Sequence, residues 1–152
     1  MARRATGSRP ARGYGVVRRF HSPAEGIMTP ADDLDQIKAL LQTYLDGLHH
    51  GDVAKLEAAF HPVAHLHSIE DGAVRAEPRD AWLARVRARP SAAAQGLSRH
   101  DAILSIDISG PETAFAKVAC AIPPRFFTDY LSCLRTASGW RIVSKAFRTE
   151  TR

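Results

Sequence analysis

From residue 29 to residue 51 the apolar side chains recur at steps of three and four. Leu34, Ile37, Leu41, Tyr44, Leu45 and Leu48 make one stripe of a long amphipathic helix. Thr29-Pro30-Ala31-Asp32 supplies its start: Thr29 as the cap, Pro30 in the first turn, and Asp32, Asp33 and Asp35 near the positive end of the helix. Gly51 ends it as a left-handed residue. Asp52 caps a second, shorter helix carrying Val53, Leu56 and Phe60, and Pro62 stops it. Residues 63–69 read as a short strand, and a loop around Gly72 follows. Pro78 opens a third helix bearing Trp82, Leu83 and Val86, which Pro90 closes.

Beyond residue 98 the period changes from helix to strand. Residues 99–108 alternate, with Ala102, Leu104, Ile106 and Ile108 on one face. Residues 113–122, 126–135 and 140–148 read as three more strands, separated by turns at Gly110-Pro111, Pro123-Pro124 and Ser138-Gly139. Such short connections imply an antiparallel meander. Three helices and a strand, then about four long strands, give an α+β domain. To bury the long helix's stripe the sheet must curl around it, leaving a cone with a cavity at its open end. Phe115, Val143, Lys145 and Phe147 alternate onto what this pattern makes the outer sheet face, a surface on which two copies can pair.

Charge divides the chain. The 152 residues carry a formal net charge of +5. Residues 1–27 hold six Arg and one Glu, whereas residues 28–152 hold 15 basic and 15 acidic residues. The excess therefore belongs to an extension with no helical or strand period, read here as disordered. An inert leader or upstream gene-model extension, with translation starting at Met28, is weighed above a targeting or nucleic-acid arm. The neutral body points away from nucleic acid and toward a small uncharged or weakly polar ligand. No apolar run is long enough to span a membrane.

Several polar side chains fall on apolar faces. Tyr44 lies in the helical stripe, so its hydroxyl needs a buried partner. Asp129 stands mid-strand among Phe127, Leu131 and Cys133, where a carboxyl is costly unless paired or protonated; Lys145 and Arg135 are the candidate partners. Ser68 shares a face with Ala64 and Leu66, and would line the cavity if they face it. Trp82 and Val86, one helical turn apart, cover the cavity, with Phe60 and Phe127 adding apolar wall. His65 and His67 share the opposite strand face, which puts them toward solvent or a partner subunit; no third ligand is evident, so no metal is assigned. Cys120 and Cys133 fall about 16 Å out of hairpin register, too far for a disulfide, and free thiols suit a cytoplasmic protein. There is no Gly-rich phosphate loop, and no cofactor is implied.

The order of elements, together with Tyr44…Gly51-Asp52, Phe60-His61-Pro62-Val63-Ala64, Trp82 and Gly139-Trp140-Arg141-Ile142-Val143, resembles the nuclear-transport-factor-2-like (NTF2-like) superfamily over residues 30–150. The SnoaL-like and putative lumazine-binding branch is most similar, through Phe127-Thr128-Asp129-Tyr130-Leu131 and the closing Trp140–Lys145 run. The resemblance implies a cystatin-like cone and leaves activity open, because the superfamily holds isomerases, dehydratases, cyclases, binders and dimerisation modules. Its ketosteroid-isomerase branch has a pocket tyrosine seven residues before a Gly-Asp turn, which Tyr44 matches, and a protonated late-strand Asp, which Asp129 matches. The place of that branch's base carboxylate is Ser68, which disfavours steroid isomerisation. On this resemblance Tyr44 and Asp129 are the catalytic candidates for lyase or isomerase chemistry at a carbonyl, stabilising an enolate oxygen. Ser68, Trp82, Phe60, Phe127 and Val86 are the ligand-binding ones. The resulting expectation is a pocket for a small apolar or aromatic molecule in a single domain of about 125 residues, the size of one such cone, paired as a homodimer through the outer sheet face. The alternative is a non-catalytic dimerisation module whose cone is filled.

Overall fold

A computed structural model describes residues 29–152. The basic extension, residues 1–27, lies outside the described residues. Helix α1 (Pro30–His50) is followed by α2 (Val53–Ala59), β1 (Phe60–Glu70), β2 (Ala73–Pro78), α3 (Arg79–Ala88), β3 (Ala102–Ser109), β4 (Thr113–Ile122), β5 (Arg125–Thr136) and β6 (Gly139–Thr151). The helix signals act as read. The Thr29 hydroxyl accepts from the Asp32 N–H at 3.2 Å while the Asp32 carboxylate accepts from the Thr29 N–H at 2.9 Å, a reciprocal capping box. Gly51 takes φ 64° at the C-terminus of α1, and the Asp52 carboxylate caps α2 on the Lys55 N–H at 3.2 Å.

The strands form one six-stranded sheet in the order β2-β1-β6-β5-β4-β3. It is mixed, not a simple antiparallel meander: β1 runs parallel to β6, while every other neighbouring pair is antiparallel. The parallel contact arises because the chain leaves β1 for β2, α3 and the far half of the sheet before β6 returns beside it. β2 occupies the segment expected to be loop. Its sequence, Ala-Val-Arg-Ala-Glu-Pro, is exposed at every position but Glu77, so no apolar alternation announces it. Phe60, expected on the second helix, begins β1.

Two β-bulges shift the side-chain phase. On β6, Ser144 pairs with Ser132 and Ile142 with Cys133, so Val143 is the extra residue. Beyond it, Lys145 turns inward to 4% exposure and Phe147 packs against the core. Neither belongs to the outer face on which strict alternation placed them. On β3, Ile103 pairs with Val118 and Ser105 with Lys117, so Leu104 is the extra residue. Leu104 is exposed, while Ile106 and Ile108 pack on the core.

The core is the α1 stripe (Ile37, Leu41, Tyr44, Leu45 and Leu48) laid in the concave sheet. Ala114 and Ala116 on β4 are small enough to let the helix approach, and Leu131 and Ile142 continue the surface. The first turn of α1 is tied to the far end of the sheet: the Trp140 indole N–H donates to the Asp33 carboxylate at 3.3 Å, and Arg135 pairs with the same carboxylate.

Cys120 lies opposite Phe127 and Cys133 opposite Ala114, so the two thiols are not register partners. Both are free and buried. Burial pushes the Cys133 thiol up to about 12. Burial, and then the neighbouring Asp129 carboxylate, raise Cys120 further. Because only thiolate reacts, native alkylation by iodoacetamide at pH 8 should be more than about a hundredfold slower than in denaturant for both residues. Fast single-site labelling of the folded protein would show that one thiol is accessible and activated.

Candidate functional site

A cavity of about 600 Å³ opens at the wide end of the cone. The last turn of α1, α3, the β1–β2 hairpin, the start of β5 and the second half of β6 enclose it. Leu48, Leu66, Trp82, Ile122, Phe127 and Phe147 form its apolar wall, and Ser68 adds a hydroxyl. The wall is assembled from both phases of the fold. Trp82 comes from the buried face of α3, Leu66 and Ser68 from the inward face of β1, and Phe147 from β6 after the Val143 bulge.

Lys145 lines the same cavity, although almost wholly buried. Its ammonium lies 3.1 Å from Asp129 Oδ2 and donates to the Tyr44 hydroxyl at 2.8 Å. The Tyr44 hydroxyl in turn donates to Asp129 Oδ2 at 2.5 Å. Four rings surround the ammonium: Phe147 at 4.6 Å, Tyr44 at 5.3 Å, Trp82 at 5.7 Å and Phe127 at 6.0 Å to the centroids. A desolvated cation gains from such ring faces. Burial first, and the Asp129 carboxylate second, hold the Tyr44 hydroxyl well above the ordinary tyrosine range, so it stays protonated and remains a donor. Cys120 Sγ sits 3.6 Å from Asp129 Oδ2, whereas the buried Oδ1 has no hydrogen-bond partner among the described residues.

Of the side chains singled out from the sequence, Ser68, Trp82 and Phe127 line the cavity. Tyr44, Phe60 and Asp129 are fully buried and Val86 nearly so; all four stand behind the lining. Phe60 packs edge-on against Tyr44 at 5.2 Å and against Trp82 at 5.0 Å, which fixes the tryptophan from behind. Tyr44 and Asp129 do come together, across 85 positions of sequence, but they meet each other and Lys145 and do not meet the cavity. Of the two candidate partners for Asp129, Lys145 takes the role and Arg135 goes to Asp33. His65 is exposed and its ring lies 6.2 Å from that of His67, on the face opposite buried Ala64 and Leu66.

The sequence reading named Lys145 only as a possible partner of Asp129 and put both Lys145 and Phe147 on the outer face, because a one-residue bulge reversed their phase. It also missed a basic lining. Arg75, Arg85, Arg89, Arg125 and Arg148 join Lys145 around the cavity, against the single acid Glu70. A neutral total over residues 28–152 conceals this, since formal charge says nothing of where the charges gather. Arg85 grips the largely buried Glu77 with bonds of 2.7 and 2.5 Å, and that guanidinium holds the Glu77 carboxyl below its usual range.

Comparison with known proteins agrees with this architecture. Residues 32–148 match the family described as putative lumazine-binding. No curated protein matches the chain. Among solved structures, an NTF2-like protein of unknown function from Silicibacter pomeroyi is 28% identical, with a TM-score of 0.72 over 81% of this chain and 100% of that one. One from Shewanella baltica is 24% identical, with a TM-score of 0.72 over 82% and 99%. A ketosteroid isomerase-like protein from Erwinia carotovora shares the fold at 13% identity and a TM-score of 0.62, over 80% and 98%. With residues 32–148 matched, and with the fold shared with these structures, the chain belongs to the putative lumazine-binding family of the NTF2-like superfamily.

Proposed function

We propose that this protein binds a small molecule with an apolar or aromatic body in the cavity at the open end of its cone. The observation that carries the reading is a space of about 600 Å³ walled by Trp82, Phe127 and Phe147. That volume lies within the range of small-molecule sites, and a filled cone would not leave it. The name of the matched family, putative lumazine-binding, supports a flat heteroaromatic occupant. Binding is favoured over carbonyl chemistry. The Tyr44 hydroxyl and the Asp129 carboxylate are engaged with each other and with Lys145, and neither reaches the cavity surface. Lys145 is the polar group that meets an occupant, held in place by the two residues behind it.

A homodimer fits alongside this reading. Phe115, Tyr130 and Leu134 are each about two-fifths exposed, and the Phe115 and Tyr130 rings stack at 5.9 Å across neighbouring strands. An apolar stripe on an open sheet face suits pairing with a second copy. Light scattering on a sizing column should return about twice the monomer mass, with Tyr130→Glu shifting it to the monomer. A monomeric wild type at high concentration contradicts the pairing.

The binding reading is tested with N-phenyl-1-naphthylamine, a neutral aromatic dye whose emission rises in apolar sites. The native protein should enhance its emission saturably. Ser68→Phe, which fills the cavity from a half-buried strand position, should weaken the dye at least about tenfold with an unchanged circular dichroism spectrum. Equal affinity in the two proteins places the dye elsewhere and rules the cavity out as its site.

A further inference from the structure

Four of the six cations around the cavity have carboxylate partners. Arg75 reaches Glu70 at 3.0 Å and Glu77 at 3.6 Å, and Arg85 holds Glu77. Arg148 pairs with Glu150 at 2.6 Å, and Lys145 with Asp129 at 3.1 Å. Arg89 and Arg125 have no carboxylate partner among the described residues, yet both line the cavity. Arg89 ends α3 and is half-buried; Arg125 opens β5 with its guanidinium 5.9 Å from the Phe127 ring centre.

The two charges act on each other. Burial first, and then the Arg125 and Arg85 charges, lower the pKa of Arg89, although an arginine remains protonated at any ordinary pH. A guanidinium offers five N–H donors. Two like-charged forks on one partly desolvated cavity, neither in ion-pair contact with a carboxylate among the described residues, carry a repulsion that an oxyanion would relieve, and a guanidinium matches a carboxylate or phosphate in geometry as well as in charge. The apolar wall continues from Arg125 through Phe127 to Trp82 and Phe147, so a bound oxyanion would have its apolar body against rings.

We propose that Arg89 and Arg125 clamp an oxyanion, and that the cavity's ligand class is therefore small aromatic organic anions, carboxylates or phosphate esters, rather than uncharged molecules. This rests on the cavity reading above and names its ligand class. It also replaces the uncharged or weakly polar ligand that the neutral charge total suggested.

Titration calorimetry with 2-naphthoate, 2-naphthyl phosphate and the neutral 2-naphthalenemethanol separates the two readings. At low salt at least one anion should bind about tenfold or more tightly than the alcohol, and raising the salt should weaken the anion but not the alcohol. Arg89→Gln and Arg125→Gln should each cost the preferred anion about tenfold and leave the alcohol unchanged. Arg125 is exposed, so Arg125→Gln alone decides the matter if Arg89→Gln does not fold. The two anions distinguish a carboxylate from a phosphate site. Equal binding of alcohol and anions, or equal losses for all three in the variants, overturns the clamp and leaves the cavity reading standing. No binding of any of the three overturns both.

Discussion

Lys145 places an ammonium inside an apolar cone, and much of the arrangement around the cavity follows from what receives it. Asp129 and the Tyr44 hydroxyl supply its polar partners at 3.1 and 2.8 Å, and four aromatic rings supply the rest of its surroundings. A buried ion pair gains little net stability over a packed apolar pair, but losing one partner costs about 3–5 kcal/mol, because the other charge is stranded. Tyr44 on α1, Asp129 on β5 and Lys145 on β6 are therefore bound to one another's positions. The same contact fixes the rotation of the long helix in the sheet and the depth of the cavity floor. The Val143 bulge is what allows it: without the extra residue, Lys145 would face outward and Asp129 would lack its cation.

The charge around the cavity is organised in two layers. At the floor, the cation is matched by a carboxylate that the fold itself provides. Toward the mouth, Arg75, Arg85 and Arg148 are matched by Glu70, Glu77 and Glu150, while Arg89 and Arg125 share their surroundings without such a match among the described residues. The unpaired pair is where a ligand's charge would change the energy most. The cavity thus combines an aromatic wall with two cationic side chains, a division suited to the proposed planar anion.

The helices were legible because their signals are local. The Thr29 capping box, the Gly51 and Asp52 pair and the apolar stripe through Tyr44 each specify a nearby contact, and each forms. The sheet was legible in its number of late strands but not in its register. A bulge inserts one residue, and alternation read along the sequence has no way to register it, so Lys145, Phe147 and Leu104 were assigned to the wrong faces. Edge strand β2 lacks an apolar face, and its existence depends on the length of β1, which only the folded hairpin reveals. Within the site, the meeting of Tyr44 with Asp129 was foreseeable from the superfamily resemblance. The third member, Lys145, entered only as a possible partner for Asp129, and the arginines of four separate elements gather only in space.

The central claim is that an aromatic ligand enters this cavity and rests against Trp82 and Lys145. Heteronuclear magnetic resonance of the isotopically labelled protein during titration with 2-naphthoate tests it most directly. Saturable shifts of the Trp82 indole signal and of the Lys145, Phe147 and Arg125 amides are expected, with the outer-face amides of Phe115 and Tyr130 unmoved. Shifts confined to the outer face, or none at saturating probe, would contradict it.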